Sequence, residues 1–153
     1  MARRVFISYQ HSDQMKAKGF NLMSHAKNVD VEFVGRHLLD PVDSTNQDYI
    51  RQKVRDQMSG TSVTVVLIGD QTADSDWVAW EIEQSLDKGN GLLGIRVDIG
   101  AKIPERLQDC GAEILDWDKP EDVHEFTDAI DRAALAAHRV PLLTSGGGSS
   151  CSR

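Results

Sequence analysis

The stretch Ser62-Val63-Thr64-Val65-Val66-Leu67-Ile68 is almost entirely apolar or β-branched. A strand with one wet face alternates polar and apolar residues. A run that does not alternate suits a strand covered on both sides, as in a parallel sheet sandwiched between helices. The chain around it must therefore supply further strands beside this one and amphipathic helices above and below it.

Both are present. Val5-Phe6-Ile7-Ser8-Tyr9 reads as a strand, after which Ser12 offers an N-cap to a helix with Phe20, Met23 and Lys27 three and four apart. Val31 to Val34 predicts a second, shorter strand. Gly35 to Asn46 has little periodicity and predicts a long loop, from which Thr45 or Asn46 starts a helix carrying Ile50, Val54 and Met58. After the central strand, closed by Gly69, Asp74 or Ser75 caps a helix running to about Lys88. Gly89-Asn90-Gly91 ends it with residues that tolerate a left-handed cap. Leu92 to Val97 and Ala112 to Leu115 predict strands four and five. Asp118 with Pro120 opens a last helix, striped by Val123, Phe126, Ile130 and Ala134. Strands alternating with helices predict an α/β fold, and right-handed crossovers favour the flavodoxin-like order 2-1-3-4-5 in a five-stranded parallel sheet with helices on both faces. One domain is expected over residues 1–144, followed by a disordered Gly/Ser-rich tail, Ser145 to Arg153.

Such a sheet takes ligands outside the carboxyl ends of its strands, near the point where the strand order reverses. The residues expected there follow strands one, two and three, and they exclude several chemistries. Strand one leads into Gln10-His11-Ser12-Asp13 and not a GxGxxG turn, and there is no GxxxxGK[ST], GxSxG or HExxH. Strands one and three end in Ser8-Tyr9 and Ile68-Gly69-Asp70, so no receiver-like aspartyl cluster is expected. With 17 basic against 24 acidic residues the chain carries a net charge of −7, which argues against a nucleic-acid partner, since phosphate contacts need a basic face. The charge is uneven: residues 98–131 are acidic, which suits a solvated face, and the more basic N-terminal third leaves room for a small phosphorylated ligand. No apolar run approaches the roughly 18 residues of a membrane span. Cys110 and Cys151 make neither a disulfide framework nor a zinc spacing. A protein of the reducing cytoplasm with no metal and no membrane partner is the expectation.

The informative cluster is Asp76-Trp77-Val78-Ala79-Trp80-Glu81-Ile82. On a helix, Val78, Ile82 and Leu86 make a core stripe, and Trp77 and Glu81 lie one above the other on the adjoining stripe. A carboxylate against an indole at the rim of the crevice suits a cationic or oxocarbenium-like reacting centre. The same spacing also fits a solvated glutamate beside an edge-packing tryptophan. Trp80 and Trp117 read as packing residues, Asp13 as a charge opposing a helix dipole, and Cys110 as a loop thiol without an activating base. His11 either caps the first helix or touches ligand, while His25, His37, His124 and His138 show no convergent spacing.

Phe6-Ile7-Ser8-Tyr9, Asp13 a few residues on, and Trp77 four before Glu81 together resemble a TIR domain. Adding Thr61 to Gly69, Trp77-Val78, Glu81-Ile82 and Lys88-Gly89-Asn90, the chain looks more specifically like the TIR-like proteins of bacterial Thoeris anti-phage systems, over roughly residues 3 to 100. That resemblance implies cleavage of the nicotinamide–ribose bond of NAD, taken as substrate with no separate cofactor. It also implies a cyclic or modified ADP-ribose product that activates a partner effector, and self-association through TIR contacts. By the family's motif Glu81 is the catalytic glutamate, Trp77 lines the site, and Ser8, Tyr9, Gln10 and His11 lie near the ligand, with Asp40 a further candidate in the long loop. That loop lacks the Asp-Pro-Gly type turn common in such domains. Two other classes fit a sheet of this kind: a non-catalytic TIR-like interaction module, and a nucleoside deoxyribosyltransferase-like enzyme that sets a glutamate on an N-glycosidic bond.

Overall fold

The computed structural model describes residues 3–26, 31–35, 47–117 and 123–143. Five strands, β1 (Arg3–Ser8), β2 (Val31–Val34), β3 (Val63–Ile68), β4 (Gly91–Arg96) and β5 (Glu113–Asp116), form one sheet in the order β2-β1-β3-β4-β5. Every pairing is parallel. This is the doubly wound order expected from the sequence. Its reversal point lies between β1 and β3, where Ser8 at the end of β1 is in register with Val66. Around the sheet run α1 (Gln14–Ala26), α2 (Gln47–Met58), α3 (Asp76–Lys88), α4 (Glu105–Asp109) and α5 (Val123–Leu143).

Strand periodicity decides which residues face which helices. In β3 all six residues are buried, as the lack of alternation required. Val63, Val65 and Leu67 join Val5, Ile7 and Tyr9 in the core under α1 and α5, closed by Phe20, Phe33 and Phe126. The Phe33 and Phe126 rings stack at 5.8 Å, and Trp117 packs on Phe20 at 4.9 Å, the structural role expected of it. The alternate residues face the other way: Val66 and Ile68 meet Val78 and Ile82 of α3 and Leu107 of α4, while Phe6 meets Val54 and Met58 of α2. Ser8 belongs to this second face, that of α2 and α3.

Several local expectations are corrected. A 3-10 turn, His11–Asp13, precedes α1. Its cap is Gln10, whose side-chain oxygen accepts from the Ser12 N–H at 2.6 Å and the Ser12 hydroxyl at 2.5 Å. Ser12 is thus the donor and not the cap. The short helix α4 was not expected, its five residues being too few to show a period. Gly89 does cap α3 in the left-handed region, at φ 89°, its N–H reaching the Ser85 and Leu86 carbonyls. Gly91, by contrast, belongs to β4 and not to the cap: a Cβ there would stand 2.5 Å from the Ala133 carbonyl carbon of α5. The region 36–46 with Asp40 and His37, the residues Asp118 and Pro120, and the tail from Ser145 lie outside the described residues. Among the described residues no helix is long and apolar enough to cross a membrane.

Candidate functional site

Helix α3 carries the central group. Ser75, with extended backbone, accepts the Val78 N–H on its Oγ at 3.2 Å and so starts the helix in the manner expected. From there Val78, Glu81, Ile82 and Ser85 are all buried against the sheet. The sequence placed Glu81 on a stripe beside the core; the structure puts it inside the core stripe, with only 1 % of its surface exposed. A carboxylate in that position needs a hydrogen-bond partner. The Ser8 hydroxyl, itself fully buried at the end of β1, donates to Glu81 Oε1 at 2.6 Å. The pair therefore stands where the strand order reverses, the location at which open α/β sheets take their ligands.

Behind this pair runs a polar seam, unusual at a helix–sheet contact. Ser85 Oγ donates to the Glu81 carbonyl at 2.9 Å and lies 2.6 Å from Thr64 Oγ1. One turn further, the Asn90 amide donates to Thr61 Oγ1 at 2.9 Å and Thr64 Oγ1 at 3.3 Å, and Lys88 Nζ reaches the Thr61 carbonyl at 2.7 Å. Sequence reasoning missed this use of Asn90, reading it as a turn residue. The signal available was a threonine inside the otherwise apolar central strand, Thr64, and a serine one helical turn after Glu81, Ser85.

Above Glu81, the half-buried Trp77 meets Trp80 edge-on, with ring centroids 5.7 Å apart and planes at 89°. Trp80 packs onto the Phe6, Val54 and Met58 cluster, the packing role the sequence suggested. The Arg51 guanidinium of α2 lies 5.7 Å from the Trp77 ring and 5.9 Å from the Trp80 ring, and Arg55 lies 5.5 Å from Trp80. These arginines were not singled out from sequence, although their spacing of four residues puts both on one face of α2.

Beyond β1 the remaining candidates separate. Tyr9 is 3 % exposed within the core under α1 and α5, on the opposite face of the sheet from Ser8 and Glu81. Strand alternation explains the difference: adjacent residues point to opposite sides, so Ser8 and Tyr9 do not converge. Gln10 is half-buried and its side-chain oxygen caps the 3-10 turn, whereas His11 is exposed and is not that cap.

A second polar group sits at the carboxyl ends of β1, β3 and β4. Lys16 Nζ pairs with Asp98 Oδ1 at 2.6 Å and lies 3.7 Å from Asp13 Oδ1. Thr72 Oγ1 accepts the Gly69 N–H at 2.8 Å and donates toward Asp13 Oδ2 at 3.3 Å. An acidic pair is thus assembled here despite the strand ends. Asp13 and Asp98 come from the turns just past them, and a lysine lies between the two. Asp13 stands in the first turn before α1, where a charge opposing the helix dipole was expected, and is buried there. Burial raises its carboxyl above the ordinary 3.8, the nearby Lys16 charge opposes this, and the Asp98 charge reinforces it. The hydrogen bond from Lys16 Nζ, joined by one from the Asp70 N–H at 3.1 Å, holds the Asp98 carboxyl below the usual range. An acid that binds its proton more tightly when folded contributes most to stability below 3.8, and that contribution is lost as pH rises through the raised native value. Asp13→Asn, which keeps an oxygen for Thr72, is accordingly expected to gain on the wild type between pH 3.5 or so and neutrality. Urea midpoints measured across that range check this; a difference that stays constant, or runs the other way, contradicts it.

Among the described residues no three His, Cys, Asp or Glu side chains converge as a metal site would require. A family model described as "Thoeris protein ThsB, TIR-like domain" matches residues 6–102. Over 102 residues the chain is 30 % identical to "Putative cyclic ADP-D-ribose synthase ThsB1" of Bacillus cereus (strain MSX-D12), covering 64 % of this chain and 53 % of that protein. The chain thus spans about half the length of that relative. The TIR domains of the activated Roq1 resistosome, solved while directly recognizing the pathogen effector XopQ, align over 97 % of this chain and 93 % of theirs at 15 % identity, with a TM-score of 0.40. With the family model matching well over half of its length, this chain belongs to the ThsB family of Thoeris TIR-like domains.

Proposed function

We propose that this protein cleaves the nicotinamide–ribose bond of NAD and that Glu81 is its catalytic carboxylate. The observation that carries the reading is the burial of Glu81 at the reversal point of the sheet, held by the Ser8 hydroxyl at 2.6 Å. Nicotinamide in NAD is already cationic, so it departs with the bonding electron pair and needs no general acid. What the reaction needs is stabilisation of the positive charge left on the ribose and alignment of its hydroxyls. A poorly hydrated glutamate supplies the first by its charge and the second by accepting from the ribose diol. One carboxylate suffices, whereas most glycoside hydrolases use two because their leaving group must be protonated.

The fate of the ribosyl cation follows from access of water. A shielded site favours capture by a nitrogen or hydroxyl of the same molecule, giving a cyclic or modified ADP-ribose, and an open one gives free ADP-ribose. The name of the Bacillus cereus relative, a cyclic ADP-D-ribose synthase, supports the first outcome. Trp77 then forms the wall of the site one turn above Glu81. His11, exposed beyond β1, stands on the rim. The product is a signal for a partner effector in anti-phage defence, and self-association through the TIR surfaces completes the scheme.

Incubating the purified protein with NAD and resolving nicotinamide and ADP-ribose species by chromatography and mass spectrometry tests the proposal. Release of nicotinamide together with a product other than free ADP-ribose is expected. No release from NAD would overturn it; cleavage confined to a panel of nucleosides would favour the deoxyribosyltransferase reading, and none at all the interaction module.

Ser8 has its own expected result. Ser8→Ala removes the donor to a buried carboxylate, an interaction of about 1.5–3 kcal/mol when one partner is charged. Turnover is expected to fall about ten- to hundredfold with little change in KM, because the substrate's remaining contacts are untouched. A change confined to KM would mean that Ser8 acts on the substrate and not through Glu81.

A further inference from the structure

The net charge of −7 makes the protein as a whole repel an anionic dinucleotide, so a local cation must hold the phosphates. Arg51 is placed for that task. Its guanidinium lies over both Trp77 and Trp80, at 5.7 and 5.9 Å from the ring centroids. A guanidinium held near aromatic rings keeps its charge and its forked N–H donors, which match two phosphate oxygens at once. Among the described residues its ionic partner is Asp48, at 3.5 Å and with a side chain 94 % exposed, a contact too solvated to cancel the charge. The spacing also fits. Trp77 lies one turn before Glu81 on α3, a rise of about 6 Å along the helix, comparable to the span from the anomeric carbon of a nucleotide ribose to its phosphorus.

From this juxtaposition we infer that Arg51, beside the two indoles, is the anchor for the diphosphate of the dinucleotide whose ribose lies at Glu81. The inference rests on the NAD reading for its choice of ligand, and it adds the residue that sets affinity. Trp77 and Trp80, set edge-on to each other, border the guanidinium on two sides; Arg51 is a binding residue with no part in bond cleavage. Arg55, a turn further from the carboxyl ends and hydrogen-bonded to Gln84 at 3.4 Å, is not part of the anchor.

Because the cation rests on indoles, tryptophan fluorescence reads the site directly, without turnover. Titrating the full chain with ADP-ribose and with adenosine, in wild type, Arg51→Ala and Arg51→Lys, separates the diphosphate from the base. Arg51→Ala is expected to weaken ADP-ribose about ten- to hundredfold and leave adenosine unchanged, with Arg51→Lys in between. In NAD cleavage the same variants raise KM by a similar factor and spare kcat. Circular dichroism confirms that each variant is folded, which the half-buried position of Arg51, outside the core clusters, favours.

ADP-ribose affinity unaffected by Arg51→Ala, or absent from the wild type, overturns the anchor. If NAD is cleaved with unchanged KM in Arg51→Ala, the anchor falls while the catalytic reading stands. If ADP-ribose binds through Arg51 but NAD is not cleaved, the catalytic reading falls and the anchor stands as a nucleoside-diphosphate site.

Discussion

Glu81→Gln is expected to fold as the wild type does and to release nicotinamide from NAD about a hundred- to thousandfold more slowly, the range found when a preorganised electrostatic partner of a transition state is removed. The substitution is close to isosteric. The Ser8 hydroxyl can still donate to the amide oxygen that replaces Oε1, so the contact at 2.6 Å between β1 and α3 survives. Burying a neutral amide is also less costly than burying a carboxylate at 1 % exposure, so stability is not expected to fall. On the proposed mechanism, what is lost is the negative charge that stabilises the ribosyl cation. Nicotinamide release by chromatography, beside a urea melt of the same preparation, checks both halves. Turnover near wild type would remove Glu81 from the chemistry.

Gly91→Ala is expected to destabilise the fold by ~3 kcal/mol, at the upper end of the range for overpacking. The new Cβ would stand 2.5 Å from the Ala133 carbonyl carbon, which is backbone of α5 and not the end of a flexible side chain. Relief requires the helix to move off the sheet, and α5 contributes Phe126, Ala129 and Ile130 to the core beneath it. For a domain of this size the loss corresponds to a fall in Tm of about 6–12 °C. Differential scanning calorimetry measures it. A Tm within about 2 °C of wild type would mean that α5 tolerates the shift. Gly89→Ala fails for a different reason, the φ of 89° at the end of α3, where no atom lies near the missing Cβ.

The fold was legible because burial on two faces leaves no polar residue free to vary. Val63 to Ile68 could only be a central parallel strand, and its flanking glycine and serine fixed where the chain turned. That Trp77 and Glu81 lie one turn apart on a single helix was legible as well, but not the burial of Glu81 in the core stripe. The rest depends on contacts between residues distant in sequence. Ser8 and Glu81 are 73 residues apart, and no local period says that the last residue of one strand will meet the second turn of a helix after another. The same holds for Thr72 and Asp13, 59 apart, and for Arg51 over Trp77. Tyr9 was misread for the opposite reason: it is adjacent to Ser8 in sequence, and adjacency in an extended chain means opposite faces.

The seam beneath α3 has a mechanical consequence. Apolar side chains slide over one another with little change in energy, whereas hydroxyls and amides in fixed pairs do not. With Ser85 keyed to Thr64, and Asn90 keyed to Thr61 and Thr64, the helix cannot shift along its axis without breaking several directional contacts at once. The far end of the helix therefore acts as an alignment pin for the Glu81 carboxylate, so that damage at Asn90 would show up as imprecision in the Glu81–Ser8 contact before it showed up as unfolding.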